Sequence, residues 1–165
     1  MKASDRHLEK VTGPKDLLLR VARWKFLGRR IVFTNGCFDI LHEGHLELLS
    51  NAAALGDILI VGLNSDASVA RLKGPERPVN GETFRARMLA SLTMVDAVCI
   101  FGEDTPAQLI EAILPDVLVK GGDYDPAAIV GADTVRSAGG AVVVIPLVQG
   151  RSTTGTIEKI RRSER

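Results

Sequence analysis

The stretch that decides the fold runs from Ile31 to His45 and reads Ile31-Val32-Phe33-Thr34-Asn35-Gly36-Cys37-Phe38-Asp39-Ile40-Leu41-His42-Glu43-Gly44-His45. Its first part, Ile31 to Asn35, is short, apolar and partly β-branched, the mark of a buried strand. Its last part opens an amphipathic helix predicted over 44–55, closed by Gly56 as a C-cap. Gly36 permits a tight turn and lets a ligand approach backbone N–H groups. His45 falls in the first helical turn, where free amides and the positive end of the helix dipole favour an anion. His42, three residues earlier, can face the same space. A strand, a glycine turn and a helix start bearing two imidazoles make a phosphate cradle.

Working outward, apolar runs at 31–35, 58–63, 97–101, 117–120 and 141–145 read as strands. Their near-continuous apolarity predicts a parallel sheet covered on both faces. Helices are predicted over 14–27, 82–92, 106–114, 133–138 and 153–162. Phe84, Met88 and Leu92 share one face of the second of these, and Thr105-Pro106 reads as an N-cap followed by proline at the first helical position. The alternation predicts a doubly wound α/β fold, a mostly parallel five-stranded Rossmann-like sheet with helices on both faces. Residues 1–28 read as an N-terminal helical extension and 29–165 as the main domain. Ligands of such sheets bind beyond the C-terminal strand ends, at the switch in strand order.

Composition excludes several classes. Hydrophobic residues make up 45% and charged residues 25% of 165 residues, as in an ordered globular domain. The 21 basic and 20 acidic side chains leave a net charge of +1, which argues against nucleic-acid binding. No apolar run is long enough to cross a bilayer, and the polar start has no signal-peptide core. No membrane role is expected. Cys37 and Cys99 form neither a metal spacing nor a disulfide framework, which fits a cytoplasmic location. There is no GxxxxGK[ST], no GxGxxG after the first strand, and no HExxH or cysteine pair to complete a metal site around the histidines. His7 lies in a polar tail and carries no functional reading.

The segment TNGCFDILHEGH resembles the HxGH signature of the cytidylyltransferase-like nucleotidyltransferases. Together with GLNSDASVARLKGPERPVN, FGEDTP, PDVLVKGGDY and the late GRSTT, it is similar to the adenylyltransferase domain of the ADP-heptose synthases, from about Arg29 to Arg162. The resemblance implies transfer of AMP from ATP, with Mg²⁺, to D-glycero-β-D-manno-heptose 1-phosphate. Bifunctional members carry a sugar kinase domain first; only a short segment precedes the domain here, so a separate kinase is expected upstream in the pathway. A homo-oligomer is expected, as in related enzymes.

The chemistry gives the residues roles. A sugar phosphate is largely dianionic near neutral pH and needs no general base. The protein's work is in-line positioning and stabilising the departing pyrophosphate. His42, His45, Lys73 and Lys120 are the catalytic candidates. Thr34, Asn35, Gly36, Cys37 and Phe38 are expected on the triphosphate, with Asn64 and Asp66 facing nucleotide or sugar. The resemblance adds Arg85 as a phosphate contact and Ser152, Thr153 and Thr154 at a further helix N-terminus. Asp39, Lys120, Gly121 and Asp123 are expected near the sugar phosphate, although Asp39 reads equally as a loop-holding residue or as a contact to Mg²⁺ or another ligand. Arg77 and Arg151 read equally as ligand contacts or surface arginines, Cys37 has no sign of an activated thiolate, and Glu103 to Thr105 read as a helix cap. No metal ligand is assigned to the protein. Two other functions share these motifs: cytidylyl transfer to glycerol 3-phosphate or another alcohol phosphate, and a non-catalytic nucleotide-binding module.

Overall fold

A computed structural model describes residues 3–122 and 124–146, with side chains from His7 onward. The predicted helix over 153–162 lies outside the described residues, as do Asp123, Arg151, Ser152, Thr153 and Thr154. After a 3-10 segment, Ala3–Lys10, the elements are β1 (Val11–Thr12), α1 (Pro14–Phe26), β2 (Ile31–Gly36), α2 (Glu43–Ala53), β3 (Ile58–Asn64), α3 (Asp66–Lys73) and α4 (Glu82–Ala90). Then come β4 (Ala97–Phe101), α5 (Ala107–Ile113), β5 (Val117–Gly121), α6 (Ala132–Ser137) and β6 (Ala141–Ile145).

All strand pairs are parallel, in the order β1-β4-β3-β2-β5-β6. The sheet has six strands where five were expected. The addition is β1, whose Val11 and Thr12 pair with Val98 and Cys99 at the sheet edge. Two residues carry no periodicity, so only tertiary pairing reveals them. Alternation along the strands divides the core. Phe33, Ile60, Ala97 and Cys99 face Leu17 and Val21 of α1 and Ile110 and Ile113 of α5. Val32, Leu59, Val61 and Val98 face Leu48, Leu49 and Ala52 of α2 and Leu89 and Ala90 of α4. Each fully buried Val, Leu, Ile or Phe side chain contributes about 1.5–3 kcal/mol, and both faces of the sheet carry buried apolar layers. The N-terminal segment packs on the sheet, since Leu17 is fully buried and Val21 nearly so.

Aspartates fasten the N-terminal ends of the strands. Asp57, Asp96 and Asp116 stand just before β3, β4 and β5, and their carboxylates accept from the backbone N–H of Arg30 (2.8 Å), Leu59 (2.8 Å) and Ile31 (2.7 Å). Each ties its strand to a neighbour and sets the register. The C-terminal ends are left for the site.

Two local expectations are corrected, and one helix went unpredicted. Phe84 and Met88 point outward, 54% and 42% exposed, while α4 buries Arg85, Ala86, Leu89 and Ala90. The N-cap of α5 is Pro106 itself rather than Thr105. Helix α3 was not predicted: it is eight residues long and buries only Ser68 and Val69, too narrow a stripe to register as periodic.

Candidate active site

Chain order reverses around β2. The chain proceeds from β2 to β3 and β4 on one side, then crosses to β5 and β6 on the other. β2 pairs with β3 along its whole length, from Ile31 to Gly36, but with β5 only through Thr34 and its partner Val119. Beyond that rung the strands part. Asn35 and Gly36 form one lip of the opening and Lys120 and Gly121 the other, at the switch point where doubly wound sheets take their ligands.

The loop from β2 to α2 is shaped by Phe38. This residue has a left-handed backbone (φ 43°) and a buried side chain. Its ring lies so close over Gly36 that a Cβ there would sit 3.0 Å from Cε2. Gly36 ends β2 without a positive φ, so the close approach of the Phe38 ring, rather than the turn-forming freedom expected of it, is what favours glycine there. The ring also meets His45, with centroids 5.1 Å apart and planes tilted by 55°.

His42 is the N-cap of α2, its backbone extended, and its carbonyl accepts from the N–H of His45 at 2.9 Å and of Leu46 at 3.3 Å. His45 sits in the first turn. The two imidazoles stack with centroids 3.9 Å apart and planes at 28°. Burial lowers the His45 pKa to about 4, and the positive fields of His42 and Lys73 act in the same direction. The ring is neutral at physiological pH, and its Nδ1 makes no hydrogen bond among the described residues. Here is a desolvated imidazole amid positive charge at a helix N-terminus, an environment that an anion relieves.

Lys73, the last residue of α3, is exposed and reaches the site through its field on His45. Lys120 is half-buried on the opposite lip, and burial lowers its pKa. The neighbouring Cys37 opposes that shift, which locates the ammonium beside the β2–α2 loop, and Nζ lies 5.7 Å from the centre of the Tyr124 ring. Contacts and fields thus tie the four catalytic candidates to the β2–α2 loop and the start of α2. Thr34 is fully buried on β2, and its hydroxyl has no hydrogen-bond partner among the described residues.

Other candidates are occupied by the protein. Asp39 is buried, and its carboxylate accepts from Arg77 Nε (2.7 Å), Val79 N–H (2.8 and 3.0 Å) and Asn80 N–H (2.9 Å). Asn80 Nδ2 returns a bond to the Asp39 carbonyl at 2.8 Å. Burial raises the carboxyl pKa, but these donors and the Arg77 charge outweigh it and leave the value below normal. Asp39 clamps the segment after α3 to the site loop, which is its loop-holding reading. Arg85, expected on phosphate, is enclosed and donates to Asn80 O (2.9 Å), Cys37 O (2.6 Å) and Asp66 Oδ1 (2.7 Å). Asp66 is thereby held, and its backbone N–H is bonded to Glu82 at 2.7 Å. Asn64 is buried and donates to Ser68 Oγ at 3.0 Å. These residues shape the site from behind.

What the sequence did not disclose is the partnership of Arg77, Val79 and Asn80 with Asp39, about 40 residues away. Its signal was the compact string GPERPVN, whose polar residues have no helical or strand period. No group of three or more His, Cys, Asp or Glu suited to a metal ion occurs among the described residues. No described helix is long and apolar enough to cross a membrane.

The chain is 63% identical over 142 residues to the bifunctional protein HldE of Gluconacetobacter diazotrophicus, covering 86% of this chain and 29% of that protein. It is 57% identical over 155 residues to the bifunctional protein HldE of Mesorhizobium japonicum, covering 94% and 31% respectively. It therefore spans under a third of the length of these relatives. Among solved structures, the lipopolysaccharide core biosynthesis protein of Thermoplasma volcanium is 28% identical with a TM-score of 0.61, covering 75% of this chain and 100% of that one. The pantoate-beta-alanine ligase of Francisella tularensis, 14% identical with a TM-score of 0.60 over 92% of this chain and 78% of its own, shares the fold. The profile of the cytidylyltransferase-like family matches residues 33–151, the span that holds the glycine turn, the stacked histidines and both lysines, and the chain belongs to that family.

Proposed function

We propose that the chain is a nucleotidyltransferase that transfers AMP from MgATP to D-glycero-β-D-manno-heptose 1-phosphate, giving ADP-heptose and pyrophosphate in the cytoplasm. The observation that carries this reading is the stacked His42–His45 pair at the first turn of α2, beside the opening between β2 and β5. The high identity to the HldE proteins and the resemblance of LKGPERPVN and VKGGDY to the heptose branch support the choice of acceptor.

The polyphosphate lies over the N-terminus of α2, where backbone N–H groups and the imidazoles donate to its oxygens. Lys73 and Lys120 approach from opposite sides and neutralise charge as it moves toward pyrophosphate. The sugar phosphate attacks the α-phosphorus in line; one P–O bond forms as the bond to pyrophosphate breaks. The attacking oxygen is already ionised, so no proton has to be removed. Mg²⁺ would enter with the nucleotide and offset charge on its phosphates; no residue of the chain is assigned to hold it. A sugar kinase activity must supply the acceptor.

A panel of nucleoside triphosphates and sugar phosphates, screened for pyrophosphate release, tests the reading. ATP with heptose 1-phosphate is expected to exceed every other pair. Preference for CTP with glycerol 3-phosphate would assign the chain to cytidylyl transfer. Nucleotide binding without turnover on any acceptor would make it a binding module.

A further inference from the structure

The Asp39 clamp does more than close a loop. It brings one guanidinium to the edge of the site and leaves part of it unused. Arg77 is only 14% exposed and donates through Nε to Asp39. Its Nη2 is enclosed and has no hydrogen-bond partner among the described residues. A guanidinium carries five N–H donors in a fixed fork, and a buried one without acceptors is costly and calls for an explanation. Asp39 cannot absorb the remainder, because its oxygens also serve Val79 and Asn80.

The position of this fork is constrained from both sides. Lys73, four residues before Arg77, acts on His45. Asp39, three residues before His42, holds Arg77 directly. We propose, building on the nucleotidyltransferase reading, that the terminal nitrogens of Arg77 bind a substrate phosphate, with Asp39 anchoring the guanidinium through Nε. Arg suits the task because its planar fork can hold a carboxylate with one edge and present other nitrogens to an anion. Two phosphates could supply the oxygen, that of the acceptor or those of the nucleotide.

Calorimetric titrations of wild type, R77A and R77K separate the sources. Each protein is titrated with the magnesium complex of α,β-methylene-ATP, and inorganic phosphate is then added to the nucleotide-saturated protein. R77K keeps a cation beside Asp39 but has no second nitrogen to offer, so it separates anion binding from loop stability. The expected result is at least a tenfold loss for one ligand in both variants, with the other within twofold of wild type. Loss in the first titration places the nucleotide on Arg77; loss in the second places the acceptor phosphate there. Affinities within twofold of wild type for both ligands overturn the inference. So does a loss confined to R77A and accompanied by a fall in melting temperature. If Arg77 governs phosphate binding but wild type fails to turn over heptose 1-phosphate, the inference stands and the acceptor assignment falls.

Discussion

Replacement of His45 by alanine is expected to lower turnover about 10²–10³-fold, the range for removing one preorganised donor from a site of developing charge, and to leave the protein folded. The expectation follows from what surrounds the ring. It is pressed between Phe38 and His42, with Lys73 nearby, and its pKa near 4 shows that the unliganded site disfavours charge on it. Its removal forfeits some packing against Phe38 but relieves a desolvated polar group, so stability changes little. His42→Ala acts similarly, since His42 is the other half of the stack and starts the helix. Steady-state rates of pyrophosphate release, with circular dichroism to verify folding, measure this. Turnover near that of wild type in both variants would remove the assigned role.

Arg85→Ala is expected to have the largest effect on stability. The guanidinium is fully enclosed, and its removal leaves the carbonyls of Cys37 and Asn80 and the carboxylate of Asp66 without their donor. Breaking a buried pair in this way costs about 3–5 kcal/mol. Asp66 is 46% exposed and recovers some hydration, which favours the lower end. At roughly 2–4 °C per kcal/mol for a chain of this size, the melting temperature falls by about 10 °C. Activity falls as well, because Cys37 belongs to the site loop. Arg85→Lys should be intermediate, since one ammonium cannot span three acceptors. An unchanged thermal unfolding curve for Arg85→Ala would show that the network contributes nothing.

The same arginine marks where the sequence was hard to read. The strands were legible because β2 through β6 are apolar runs bounded by polar or glycine residues, and β3, β5 and α2 end within two residues of expectation. The phosphate cradle was legible for a local reason: Gly36, His42 and His45 lie close together in sequence, from the end of β2 to the first turn of α2. Helix α4 was misread because its rotation is set by Arg85, whose acceptors come from three other segments. Turning Arg85 inward sends Phe84 and Met88 to the surface, against their hydropathy. The Asp39 clamp was hidden for the same reason. Asp39 and Asn80 are linked by geometry that neither neighbourhood carries in its pattern.

Nuclear magnetic resonance titration of the His45 imidazole, with and without the magnesium complex of α,β-methylene-ATP, tests the central claim most directly. In the free protein the ring should titrate near pH 4. A polyphosphate bound against it favours the charged form, so the bound pKa should rise toward or above the ordinary value of about 6.5. Binding then takes up protons between the two pKa values, and nucleotide affinity falls as pH rises through that window. A His45 titration that does not move when the nucleotide saturates the protein would contradict the claim that the stacked histidines hold the polyphosphate.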